Sequence, residues 1–112
     1  MKVQGNLFAA METPCGFERF DELLQHQGVR IERIVSNQYK DNPPVWYEQD
    51  GSEWVVVISG NAQLEFESGR VDLKAGDYML IEAGQRHRVV STDEDEPTVW
   101  LAMHWNSAQT SV

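Results

Sequence analysis

The side chains with most chemistry to offer are His87, His104 and Glu53, and each sits in an informative local pattern. His87 follows the glycine turn Ala83-Gly84 and opens the segment HRVVST (87–92). Glu53 stands at the head of the apolar run WVVVIS (54–59), where a carboxylate is expected to face a pocket rather than solvent. His104 lies in TVWLAMHW (98–105), and strand alternation puts it on one face with Trp100 and Ala102. Imidazoles and carboxylates are the groups that hold divalent cations of the first transition row. The other candidates are weaker. His26 falls at the end of a periodic segment, where a surface role is expected. Cys15, in TPCG, has no base near it in sequence to make it a nucleophile. No G-x-S-x-G, P-loop, GxGxxG or CxxC pattern is present, which removes the common hydrolase, nucleotide-binding and zinc-ribbon readings.

Strands must position these groups. VRIERIVS (29–36) is β-branched and rich in charge, and NQYKDNPPV (37–45) is a turn-rich connection whose double proline cannot sit inside a central strand. WVVVIS is continuous and apolar, so it is expected to be buried on both faces. AQLEFES (62–68) alternates, with Ala62, Leu64 and Phe66 on one face. Gly60-Asn61 separates these two runs as a hairpin turn would. RVDL (70–73), DYMLI (77–81), HRVVST and TVWLAMHW complete the set, with glycine turns between the earlier ones and the solvated acidic loop DEDEP (93–97) before the last. Ahead of them, GFERFDELLQ (16–25) places Phe17, Phe20, Leu23 and Leu24 at helical spacing, with Gly28 as a stop signal, and predicts one short helix. Short strands at regular intervals indicate an all-β sandwich or barrel.

The 112 residues suit one domain with a core of its own. Eighteen acids against nine bases give a net charge of −9, which disfavours nucleic-acid backbones and anionic membrane surfaces. The one cysteine excludes an internal disulfide, and no segment approaches the roughly 20 apolar residues of a membrane span. A cytoplasmic location is the expectation. The four tryptophans are many for this length, and flat rings suit the walls of a small-molecule pocket.

The two stretches Pro44 to Gly60 and Gly76 to Ser91 together resemble the paired motifs of the cupins, small double-stranded β-helix (jelly-roll) barrels. The first cupin motif reads G-x5-H-x-H-x(3,4)-E-x6-G and the second G-x5-P-x-G-x2-H-x3-N. Here the first maps as Trp46-x-Glu48-x4-Glu53-x6-Gly60, with both histidine positions replaced and no opening glycine. The second maps as Gly76-x5-Glu82-x-Gly84-x2-His87-x3-Ser91, keeping both glycines and the histidine. In particular the chain is similar to a small bacterial subgroup with a WY-(D/E)-Q-D…E-W first motif, a G-D-Y-x-L-I turn and a closing W-L-A-x-H strand. The resemblance covers roughly residues 29–105.

That resemblance implies an all-β jelly-roll barrel over 29–105, an arm and short helix packed on it over 1–28, and a frayed tail over 106–112. It implies Glu48, Glu53 and His87 at ligand positions, with His104 as a further candidate. Two carboxylates and two imidazoles would suit a divalent metal, Fe, Mn, Zn or Ni. Trp46, which stands where a ligating histidine is usual, would line a pocket with Trp54 and Trp100. Tyr47 is a conceivable acid or hydrogen-bond donor. Two functions follow: a metal-dependent oxygenase, isomerase or lyase acting on a small molecule, or a metal-free binding or sensing module. Dimerisation by edge-strand pairing is common among cupins, and a homodimer is expected.

Overall fold

The computed structural model describes residues 1–106, so the expected tail lies, from residue 107 on, outside the described residues. Eight strands form the fold: β1 (Phe17–His26), β2 (Val29–Asn37), β3 (Ser52–Ser59), β4 (Asn61–Phe66), β5 (Gly69–Lys74), β6 (Tyr78–Ile81), β7 (His87–Thr92) and β8 (Thr98–Trp105). They make a five-stranded sheet in the order β1-β2-β8-β3-β6 and a three-stranded sheet in the order β5-β4-β7, antiparallel throughout. The core lies between them, with Val55, Val57, Leu64, Phe66, Leu73 and Trp100 all buried. The expected alternation of Ala62, Leu64 and Phe66 is present, and all three face this core.

The predicted helix over 16–25 is instead strand β1. Its four apolar residues do not bury a stripe: Phe17 is 63% exposed, Phe20 55%, Leu23 45% and Leu24 43%. Pairing with β2 along its whole length overrides the local period, and a bulge between Glu22 and Leu24 supplies the extra residue that mimics helical spacing. Gly28 ends no helix either. Gln27 and Gly28 both have positive φ and close a two-residue hairpin from His26 to Val29, the backbone of a type I′ turn.

Two further expectations change. β3 is not buried on both faces, because Val55 and Val57 are buried while Val56 and Ile58 are half-buried. Gly60 does not close a hairpin. β3 belongs to the large sheet and β4 to the small one, so Gly60, at φ 84°, turns the chain a corner from one sheet to the other.

The N-terminal arm is fastened to the large sheet by a buried arginine on β2. Arg33 pairs with Asp21 of β1 at 2.6 Å and donates to the carbonyls of Leu7, Ala9 and Ala10. These bonds satisfy the buried guanidinium that an apolar interior would otherwise penalise.

Candidate functional site

The strand register explains how the polar side chains come together. On the inward face of the large sheet, Trp100 of β8 sits between Ile34 of β2 and Val57 of β3. One step along, Ala102 sits between Glu32 and Val55, and one step further His104 sits between Arg30 and Glu53. The face is therefore apolar at one end and polar at the other. A cavity of about 260 Å³ opens over the polar end. Ile34, Val55, Leu64, Ile81, Val89 and Trp100 form its apolar walls. His87 reaches it from the small sheet, where the Tyr47 segment lies alongside β7: Tyr47 N donates to His87 O at 2.8 Å and His87 N to Tyr47 O at 3.0 Å.

Glu53 is the centre of the cluster and is only 8% exposed. Its Oε1 accepts from Gln49 Nε2 at 2.8 Å and lies 3.8 Å from His87 Nε2, while its Oε2 lies 3.8 Å from His104 Nε2. Both imidazole distances are too long for hydrogen bonds. His104 Nε2 is also 3.1 Å from Glu32 Oε1, and a carboxylate there calls for a proton on that nitrogen. His87 is oriented the opposite way. Its Nδ1 lies 3.0 Å from the Gln85 carbonyl, which can only accept, so Nδ1 carries the proton and Nε2 faces Glu53.

The cavity also shifts its acids in opposite directions. The hydrogen bond from His104, reinforced by Arg30, holds Glu32 below the ordinary carboxylate value. Glu18 is pushed up by burial, although Ser36 Oγ donates to its Oε2 at 2.6 Å. Ser36 in turn accepts from Trp100 Nε1 at 3.1 Å, so the wall tryptophan orients the acid. Burial, with Glu18 and Asp41 nearby, also raises the Tyr47 phenol above its ordinary value.

The shift of Glu18 has a consequence for stability. A raised acid contributes stability that is full below its unfolded value of 4.5 and is lost as pH rises through its folded value. Glu18→Gln retains an oxygen for Ser36 and never ionises. This variant should melt above the wild type at pH 7, with the two melting curves converging below pH 4.5. A variant less stable than wild type at pH 7 would show that the ionised carboxylate is wanted there.

Of the residues singled out from sequence, Glu53, His87, His104, Trp100 and Tyr47 line this one cavity. Glu48, Trp46 and Trp54 do not line it. The segment before β3 alternates, so Gln49 and Tyr47, the latter still 46% exposed, line the cavity while Glu48 points to solvent and Trp46 turns to the other side. There Arg86 and Arg88 stack on the Trp46 ring, with guanidinium carbons 4.7 and 5.6 Å from its centroid. Trp54 points outward from β3 and packs on Tyr78, ring centroids 5.4 Å apart. The first cupin motif allows three or four residues before its glutamate. Counting three gives Tyr47-x-Gln49-x3-Glu53, the inward pair seen here. Glu18, Arg30, Glu32 and Gln49 line the cavity as well, and sequence reasoning missed all four.

Among the described residues, no three His, Cys, Asp or Glu side chains are drawn together as a ready metal-ligand set. The donors nearest to one are Glu53 and the two imidazoles that flank it.

The comparisons with known proteins agree with this architecture. A protein from Ralstonia eutropha JMP134, provisionally described as a mannose-6-phosphate isomerase, is 42% identical, with 95% of this chain and 100% of that one aligned at a TM-score of 0.86. A Klebsiella pneumoniae protein with a double-stranded β-helix domain matches at a TM-score of 0.76 and 16% identity, over 98% of this chain and 95% of that one. A cupin superfamily protein from Desulfitobacterium hafniense DCB-2 matches at 0.73 and 15% identity, over 96% and 94%. No curated protein matches the sequence. The family described as "Cupin domain" matches residues 40–104, the stretch that carries Gln49, Glu53, His87 and His104. With both motif segments inside that match and the jelly-roll strands around them, the chain belongs to the cupin domain family.

Proposed function

We propose that the barrel cavity is the binding site of a small organic molecule, held at the polar end by Glu53, His87, His104 and Glu32 and against the apolar walls by shape. The carrying observation is that these four groups from β2, β3, β7 and β8 meet in one cavity of about 260 Å³. That size, slightly below the usual range for drug-sized ligands, suits a small metabolite. The groups are also equipped to move protons. His87 presents Nε2, opposite its pinned Nδ1, to Glu53, so an imidazole and a carboxylate that can each take up a proton face the cavity together. Proton transfer of this kind is what a sugar isomerisation needs, which accords with the description of the 42%-identical relative.

A thermal-shift screen of sugars, hydroxy acids and amino compounds tests the site. At least one compound should raise the wild-type melting point, since a ligand at about 100 times its Kd adds about 2.7 kcal/mol. The same compound should give no shift with Glu53→Ala or His87→Ala, both checked for native circular dichroism. A shift that survives both substitutions places the ligand elsewhere.

A second reading is favoured by the two 3.8 Å gaps around Glu53. Two ligand atoms on one ion, each at about 2.0–2.2 Å, lie at most about 4.4 Å apart. Glu53, His87 and His104 would then hold Fe, Mn, Zn or Ni, with Glu32 giving up its hold on His104. When bound, such an ion polarises a ligand oxygen. Elemental analysis of protein purified without a metal-binding tag, before and after loading, decides this. Near-stoichiometric metal lost in His87→Ala supports the ion, and sub-stoichiometric metal after loading removes it.

The exposed apolar residues of edge strand β1 motivate a homodimer, which sedimentation at several concentrations tests directly. Among the described residues no helix is long and apolar enough to cross a membrane, and a cytoplasmic location remains part of this proposal.

A further inference from the structure

We infer that the ligand of this cavity carries a protonated amine and that the cavity refuses phosphate esters, an inference that rests on the cavity being a small-molecule site. Three acids line it, Glu18, Glu32 and Glu53, of which burial favours the neutral form of Glu18, against one guanidinium, Arg30. That guanidinium is already engaged, since Arg30 Nη1 donates to Glu32 Oε2 at 2.8 Å. Glu53 has no guanidinium partner among the described residues. Its Oε1 accepts from the neutral Gln49 amide, and the imidazole nitrogens of His87 and His104 lie 3.8 Å from Oε1 and Oε2, beyond hydrogen-bond distance. Among the described residues, no hydrogen bond ends on Oε2. A carboxylate oxygen that opens onto a cavity from a largely buried side chain, with no donor bonded to it, favours a cationic group in that cavity. An ammonium group meets it with three N–H donors and a full charge, and its carbon skeleton can lie against Trp100 and the aliphatic walls.

A phosphate ester meets the opposite conditions. Phosphate sites are built from convergent guanidinium forks or backbone amides at a helix N-terminus. The described fold has no helix, and its other candidate arginines point elsewhere: Arg86 and Arg88 stack on Trp46, and Arg88 pairs with Glu65 at 2.8 Å and Asp41 at 3.6 Å. A doubly charged phosphate in this cavity would face the carboxylates of Glu32 and Glu53. The substrate in the relative's description is such an ester, so this chain is inferred to differ from that description in what it accepts.

Mannosamine, mannose and mannose 6-phosphate share one skeleton and differ in charge, which makes them the probes. Isothermal titration at a pH where the amine is protonated, with a chelator present, should give mannosamine at least tenfold tighter binding than mannose and no binding of mannose 6-phosphate. Glu53→Gln keeps the shape and removes the charge; it should abolish the preference for mannosamine over mannose, whatever it does to the affinity for both. Binding of mannose 6-phosphate as tight as that of mannosamine overturns the inference. Equal binding of mannosamine and mannose also overturns it, but leaves the cavity standing as a ligand site. No binding of any probe, together with no hit in the thermal-shift screen, removes both.

Discussion

Trp100→Ala should cost about 3–5 kcal/mol of folding stability, the usual range for removing a large buried aromatic side chain. Trp100 is 3% exposed, belongs to the core cluster between the sheets and pairs in register with Ile34 and Val57. The loss is a large part of the roughly 5–15 kcal/mol that holds a domain folded. In urea denaturation the midpoint should fall steeply with little change in slope. Two effects are mixed in that number, lost packing and the lost donor to Ser36 Oγ. Trp100→Phe gives an intermediate case. It keeps one aromatic ring but removes the N–H and the rest of the indole, so it should cost less than alanine while still losing both the hydrogen bond and some packing. It should also loosen Glu18, whose oxygen Ser36 holds. An alanine variant within about 1 kcal/mol of wild type would show that the cavity collapses around the gap and that Trp100 is no pillar of the core.

Trp100 also shows how much could be read in advance. Its place on one face with Ala102 and His104 follows from period-two alternation along β8, and the inward set Ala62, Leu64 and Phe66 follows the same way. Where a strand has one apolar face, its pattern names that face. β2 has none: Glu32 lines the cavity on one side, while Arg33 is buried on the other beneath the N-terminal arm. Charges on both faces gave alternation nothing to choose between, so Glu32 was missed. Gln49 was missed for a different reason. The motif spacer tolerates either of two lengths, and choosing the longer one moved the inward pair from Tyr47 and Gln49 to Trp46 and Glu48. A one-residue slip in a strand exchanges its faces. β1 failed because a bulge imitates helical spacing and only the pairing with β2 reveals the strand. The fold was therefore legible from the spacing of glycines and apolar runs, whereas the site required knowing which of two faces points inward.

Gly60 and Gly84 are two of the motif glycines, and the same argument from positive φ applies to both, yet substituting them should have very different effects. Gly84 has φ 78° and nothing within 4 Å of where a Cβ would stand. Gly84→Ala should therefore cost only the strain of a left-handed backbone, about 1–2 kcal/mol. Gly60 has φ 84° as well, but its Cβ would stand 2.5 Å from Thr98 Oγ1, 2.8 Å from Thr98 Cα and 3.1 Å from the Pro97 carbonyl oxygen. Two of those three atoms are backbone and cannot swing aside. The third is the hydroxyl that donates to Asn61 O at 2.8 Å and lies within 3.4 Å of Asp93 N. Relieving the clash would push β8 away from the corner where the chain passes between the sheets, adding an overpacking cost of about 1–3 kcal/mol. Gly60→Ala should thus lose about 2–5 kcal/mol, and Thr98→Ala in the same background should recover part of that loss, although Thr98 Cα remains in the way. Equal melting points for the two alanine variants would mean that the corner yields to a methyl group. The glycine in the first motif would then serve only the turn, and not the close approach of β8 that sets the register of Trp100 and His104.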